Sequence, residues 1–119
     1  MINKIEQLLK NYKYVFLKKG NAYIYIINDE KILVVMRNNK NNIFSITRKT
    51  FSSIDDELLP YGFILIDEKE QLYYYQIKEP NNPIRKAFDS SKKEMIFFGK
   101  EVLNNRINFN QIDSIISKM

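Results

Sequence analysis

Residues 12–48 read YKYVFLKKGNAYIYIINDEKILVVMRNNKNNIFSITR, and how this stretch divides decides the fold. It is dense in Tyr, Val, Ile and Phe, which suit a pleated, partly buried backbone. The interruptions KKGN, NDEK and NNKNN have the Gly, Asn and Asp content of tight turns. The spacing predicts strands over 13–18, 22–28, 31–37 and 43–47. Turns this short make neighbouring strands antiparallel, so the segment reads as a meander. In the second strand Ile24 and Ile26 share one face, and Tyr23, Tyr25 and Ile27 share the other. In the third, Ile32, Val34 and Met36 alternate with Leu33 and Val35. Apolar groups on both faces predict central strands covered on both sides.

Outward from this stretch, Ile5, Leu8, Leu9 and Tyr12 form one helical stripe over residues 3–12, with Asn3 and Glu6 spaced as a capping box. KTFSSIDDELLP predicts a short helix capped by Ser52 or Ser53, with the acids at 55–57 in its first turn and Pro60 ending it. YGFILID and LYYYQIK form a second hairpin around EKEQ. Asn82 then caps a helix with Pro83 at its first position. EMIFFG is a strand, KEVLNNRINF has room for one helical turn, and NQIDSIISKM is a terminal helix capped by Asn110. The expectation is a single α+β domain over 1–119. Its antiparallel, mostly meandering sheet would hold about six or seven strands, packed by N- and C-terminal helices.

The three successive tyrosines of the hairpin cannot share a face, because strand side chains alternate. Tyr73, Tyr75 and Ile77 make a wholly bulky face and are read as core. Tyr74, Gln76 and Lys78 make the other face, which predicts Tyr74 exposed or half-exposed.

Composition narrows the chemistry. The 119 residues contain no cysteine and no histidine. This removes disulfides, thiol nucleophiles and zinc-thiolate sites, as well as histidine-based triads and histidine-held metals. The three glycines, Gly20, Gly62 and Gly99, are too far apart for a phosphate-binding loop. No cofactor is called for. No apolar run is long enough to span a bilayer. The opening MINKIEQLLKNY has no small-residue cleavage site, which predicts an intracellular, cytoplasmic protein.

The formal charge of +5 is unevenly distributed. From Gln7 to Ile54 nine basic residues face only Asp29 and Glu30, a balance of +7, whereas residues 55–119 carry nine basic and eleven acidic residues, a balance of −2. The candidate binding residues are Lys13, Lys18, Lys19, Arg37, Lys40, Arg48 and Lys49 around the meander, with Tyr74 and Lys78 on the second hairpin. Lysine and arginine would contact phosphates without reading sequence, and an exposed tyrosine would stack a base.

The second hairpin also places Asp67 on one strand and Gln76-x-Lys78 on the next. This resembles the PD-(D/E)xK nuclease pattern in the form where glutamine replaces the acid. The resemblance implies a metal-assisted nuclease, active or degenerate, using Asp67 and Lys78. Against it, Asp67 lies at the turn, where its cross-strand neighbour is near Leu72.

The leading expectation is therefore a small non-enzymatic binding protein whose basic N-terminal meander engages an acidic partner. That partner is nucleic acid, or a nucleic-acid-handling protein that the chain inhibits, as a phage or mobile-element anti-CRISPR-like protein would. In the inhibitor reading, the acidic 55–70 region offers a second mode, mimicry of nucleic acid.

Overall fold

The computed structural model describes residues 1–39, 41, 43–77 and 82–119. Two of the candidate binding residues, Lys40 and Lys78, lie outside them. The chain runs α1 (Ile2–Leu9), β1 (Tyr14–Lys19), β2 (Ala22–Ile27), β3 (Lys31–Arg37), β4 (Phe44–Thr47) and α2 (Arg48–Asp55). It continues β5 (Tyr61–Ile66), β6 (Leu72–Gln76), α3 (Pro83–Ser90), β7 (Met95–Phe98), β8 (Arg106–Ile107) and α4 (Ile112–Lys118), with 3₁₀ turns at Lys100–Val102 and Phe109–Gln111. The α+β reading holds.

The main sheet has six strands in the order β1-β2-β3-β5-β6-β8, and β4 and β7 form a separate two-stranded sheet. The first three strands are the expected meander. Gly20 turns the first hairpin at φ +59°, at the first central position where a type II′ turn needs glycine. Asn28 and Asp29, both left-handed near +55°, turn the second.

The meander stops there, which corrects the expectation for the fourth strand. The edge of β3 is taken by β5, running parallel (Ile32↔Tyr61 through Arg37↔Ile66), while β4 pairs with β7 (Phe44↔Phe98 through Thr47↔Met95). The burial patterns give the reason. Every residue of β5 is buried, as a central position with covered faces demands. In β4 only Phe44 and Ile46 are buried, so it is suited to lie as a one-sided cover.

The sheet has a core on each face. One contains Ile24, Val34, Met36, Phe63, Tyr73 and Tyr75, closed by Phe44, Phe51, Ile84 and Phe98 from β4, α2, α3 and β7. The other contains Tyr25, Leu33, Val35, Ile64 and Tyr74, closed by Ile5 and Leu9 of α1 and Ile112 and Ile116 of α4.

Helix starts differ from the sequence reading in instructive ways. The start of α2 is capped by Thr47, whose hydroxyl accepts from the Thr50 N–H at 3.1 Å, rather than by Ser52 or Ser53. The acids therefore fall at its end, where the helix dipole disfavours them. Asp55 is compensated there by the Tyr61 hydroxyl (2.8 Å) and Arg85 (3.1 Å). At α1 no side chain caps the start, and Glu6 instead accepts from the Tyr25 hydroxyl at 2.9 Å. Asn82 does cap α3 ahead of Pro83. Before α4, the capping box is Asn108 with Gln111 rather than a cap at Asn110.

All three successive tyrosines are buried, which corrects the exposure expected for Tyr74: it is 8% exposed. Gly62 on β5 makes the space. A Cβ there would stand 2.7 Å from Cε1 and from the hydroxyl oxygen of Tyr74, so the ring lies across the bare glycine backbone.

Candidate interaction edge

β1 forms one edge of the main sheet. Its residues YVFLKK are almost wholly exposed, with Val15 at 51%, Phe16 at 42% and Leu17 at 43%. Strand alternation puts Tyr14, Phe16 and Lys18 on the α1/α4 face, and Val15, Leu17 and Lys19 on the α2 face. Each face thus carries an apolar centre and ends in a lysine.

The backbone register shows which groups of β1 are available. The Asn28 N–H donates to the Lys13 carbonyl at 2.7 Å. Antiparallel partners alternate between bonded and non-bonded pairs. Lys13, Val15, Leu17 and Lys19 therefore turn their N–H and C=O groups toward β2. Those of Tyr14, Phe16 and Lys18 point outward, along an edge that no other described strand pairs with.

Phe16 is held in place from the side. Its ring stacks on Tyr23 (6.1 Å between centroids) and tilts against Tyr25 (5.2 Å), while Tyr14 meets Tyr25 edge-on at 5.7 Å. Burial, and then the hydrogen bond to Glu6, push the Tyr25 hydroxyl well above the ordinary tyrosine range, so it stays protonated as the donor. The Lys18 ammonium lies 5.2 Å over the Tyr23 ring. On the other face a shallow groove of about 90 Å³ runs between β1 and α2, floored by Ile24, Ile26 and Ile32 and walled by Leu17, Lys19 and Glu57.

The remaining sequence-predicted cations do not join this edge as one patch. Lys18, Lys19 and Arg37 share one end of the sheet, because Lys19, Ala22 and Met36 are successive cross-strand neighbours. Lys13 is at the other end of β1, about 20 Å away at strand rise. Arg37 is engaged by Glu70 through two hydrogen bonds of 2.9 and 3.2 Å. Arg48 is structural. Its guanidinium donates to the carbonyls of Lys93 (3.1 Å), Phe88 (3.3 Å) and Ser91, and lies 4.6 Å over the Phe88 ring. Lys49 is exposed on α2, in the layer over the opposite core.

The acidic stretch is similarly engaged. The carboxylate of Asp67 accepts from the N–H groups of Lys69 and Gln71 (both 2.9 Å) and from the Tyr73 hydroxyl (3.0 Å), which closes its own turn. Gln76 pairs with Gly62 at the far end of the hairpin, while Asp67 follows the Ile66↔Leu72 pair, so the carboxylate and amide of the nuclease-like pattern are not brought together. Among the described residues no three Asp or Glu side chains converge as a metal site. No helix of the described residues is long and apolar enough to cross a membrane.

No family model, curated protein or solved structure matches the chain. An open strand edge with an apolar centre and cationic ends can add a further strand by main-chain hydrogen bonds, with side-chain pockets on both faces. Sequence reasoning missed Val15, Phe16 and Leu17 as functional candidates. The available signal was their place in the first strand of a meander, where an edge must fall.

Proposed function

We propose that this chain is a non-enzymatic binding protein that takes an extended, acidic segment of a partner protein along the edge of β1. The observation that carries this reading is the outward-facing backbone of Tyr14, Phe16 and Lys18 beside exposed Val15, Phe16 and Leu17. Of the two partner classes raised by the sequence, a protein is the better fit. Nucleic acid offers no backbone ladder to a strand edge, and two of the predicted cations, Arg37 and Arg48, are already engaged within the chain.

Charge argues for an acidic partner rather than a second copy. Two β1 strands paired about Phe16 would set Lys19 against Lys13 and line the junction with six lysines. Lysine on an edge strand is a common device against self-pairing. An incoming strand with apolar residues opposite 15–17 and acids opposite Lys18 and Lys19 meets no such repulsion. Inhibition of a nucleic-acid-handling protein would follow if that segment belonged to its working surface.

The test uses a synthetic peptide, Glu-Glu-Val-Ile-Val-Thr, against its Lys-Lys-Val-Ile-Val-Thr counterpart. The acidic peptide should bind and the basic one should not. Phe16→Pro removes one outward N–H without touching the β1–β2 ladder. It should weaken binding by at least several-fold beyond Phe16→Ala, as expected for a main-chain hydrogen bond worth about 1 kcal/mol. Equal binding of both peptides would reject the acidic preference, and equal effects of the two substitutions would reject strand addition.

A further inference from the structure

A second surface lies on the other side of the molecule from α1 and α4. Pro83, Lys86, Ala87 and Ser90 recur along one side of α3 and face the outward residues of β7, Met95 and Phe97, across a groove of about 910 Å³. Lys92, Lys93 and Glu101 also line it. Phe97 is 58% exposed and Met95 is 38% exposed.

We propose that this groove holds single-stranded nucleic acid, with phosphates along Lys86, Lys92 and Lys93 and a base on the Phe97 ring. An exposed ring beside a basic track is how single strands are held without sequence reading, because each unstacked base offers a face. A duplex keeps its bases stacked and cannot use Phe97. The track keeps a small cationic excess, because Lys86, Lys92 and Lys93 outnumber Glu94 and Glu101, and Asp89 lies 3.6 Å from Arg85.

Arg48 makes the track preformed. It reaches the carbonyls of Phe88, Ser91 and Lys93, so the end of α3 and the loop carrying Lys92 and Lys93 are tied to α2. The same contacts occupy carbonyl oxygens that would otherwise repel an anion. This inference concerns residues away from β1 and stands independently of the strand-addition reading.

The probe is a labelled mixed-sequence 12-nucleotide DNA, single-stranded and duplex, titrated by fluorescence anisotropy at several salt concentrations. The single strand should bind more tightly than the duplex. Phe97→Ala should weaken it about fivefold or more, the loss of one stacked base. Lys92→Gln with Lys93→Gln should flatten the log–log salt slope by about 1.4, at about 0.7 per phosphate of a single strand. These side chains are exposed, so circular dichroism of each variant should match wild type. No binding at low salt, equal affinity for duplex, or an unchanged affinity for Phe97→Ala would each overturn the proposal. Loss of binding on Lys18→Gln with Lys19→Gln, but not in the groove variants, would move the nucleic acid to the β1 end and overturn it as well.

Discussion

Adding one methyl group at Gly62 tests the packing of the tyrosine ladder. The new carbon would stand 2.7 Å from Cε1 and from the hydroxyl oxygen of Tyr74, against an ordinary contact of at least 3.4 Å, so the side chain must yield by about 0.7 Å. Overpacking of this kind costs about 1–3 kcal/mol. A cleft of about 270 Å³ beside Tyr74, bordered by Gln111, Ser114, Ile115 and Lys118, gives the ring somewhere to go and points to the lower part of that range. Alanine also restricts the unfolded chain, a gain of about 0.4–1 kcal/mol where the backbone allows it. Gly62→Ala should therefore destabilise by about 1 kcal/mol net. In a Tyr74→Leu background, with the ring removed, the same substitution should become neutral or stabilise by about 0.5 kcal/mol. Urea unfolding of the four proteins reads this directly, since at an m-value of about 1–3 kcal/mol/M the first shift moves the midpoint by about 0.3–1 M. The coupling between the two sites is the diagnostic quantity. If Gly62→Ala has the same effect with and without the Tyr74 ring, the ring does not lie on Gly62 and the account of the ladder is wrong.

Arg48→Gln should lower stability by about 2 kcal/mol, because charge-assisted bonds to three carbonyls and the Phe88 stack are lost together. At roughly 4 °C per kcal/mol for a domain near this size, thermal unfolding will show it, and an unchanged midpoint would return Arg48 to the list of surface cations. The hydrogen bond from Arg37, with the N-terminal ammonium adding at 3.5 Å, holds the Glu70 carboxyl below its usual value of 4.5. A depressed carboxylate stabilises the fold above its unfolded pKa, and that contribution is lost as pH falls through the folded value. Glu70 is half-exposed, so the Glu70→Gln difference should be at most about 1 kcal/mol at pH 6, shrink in high salt and close in acid; a difference that grows in acid would contradict the pairing. Asn82→Ala should cost about 1 kcal/mol by removing the cap of α3, whose side chain accepts from the Ile84 and Arg85 N–H groups; no loss would mean that Pro83 alone starts the helix.

Local signals carried most of the secondary structure. Residue alternation, turn composition and the Asn82-Pro83 start were all readable, because each acts within a few residues. Topology was not, because it depends on competition for one position: β4 and β5 both follow β3, and only β5 is apolar on both faces. That difference is visible in YGFILI against FSIT once the question is asked. Tyr74 was misread for a tertiary reason. Its strand neighbours Gln76 and Lys78 are polar, but the cover comes from α4, about forty residues later. The cations were legible as a charge count and not as a surface. Arg37 and Arg48 are engaged within the chain, by Glu70 and by the carbonyls of residues 88–93, at separations no local pattern reports.

Amide hydrogen exchange along β1 tests the central claim most directly. In the free protein Val15, Leu17 and Lys19, bonded to β2, should exchange slowly, while Tyr14, Phe16 and Lys18 should exchange fast. Saturation with the Glu-Glu-Val-Ile-Val-Thr peptide should slow those three amides and leave the rest of the sheet unchanged. If Tyr14, Phe16 and Lys18 stay fast with peptide bound, or protection appears on another element, the edge of β1 is not where the partner binds.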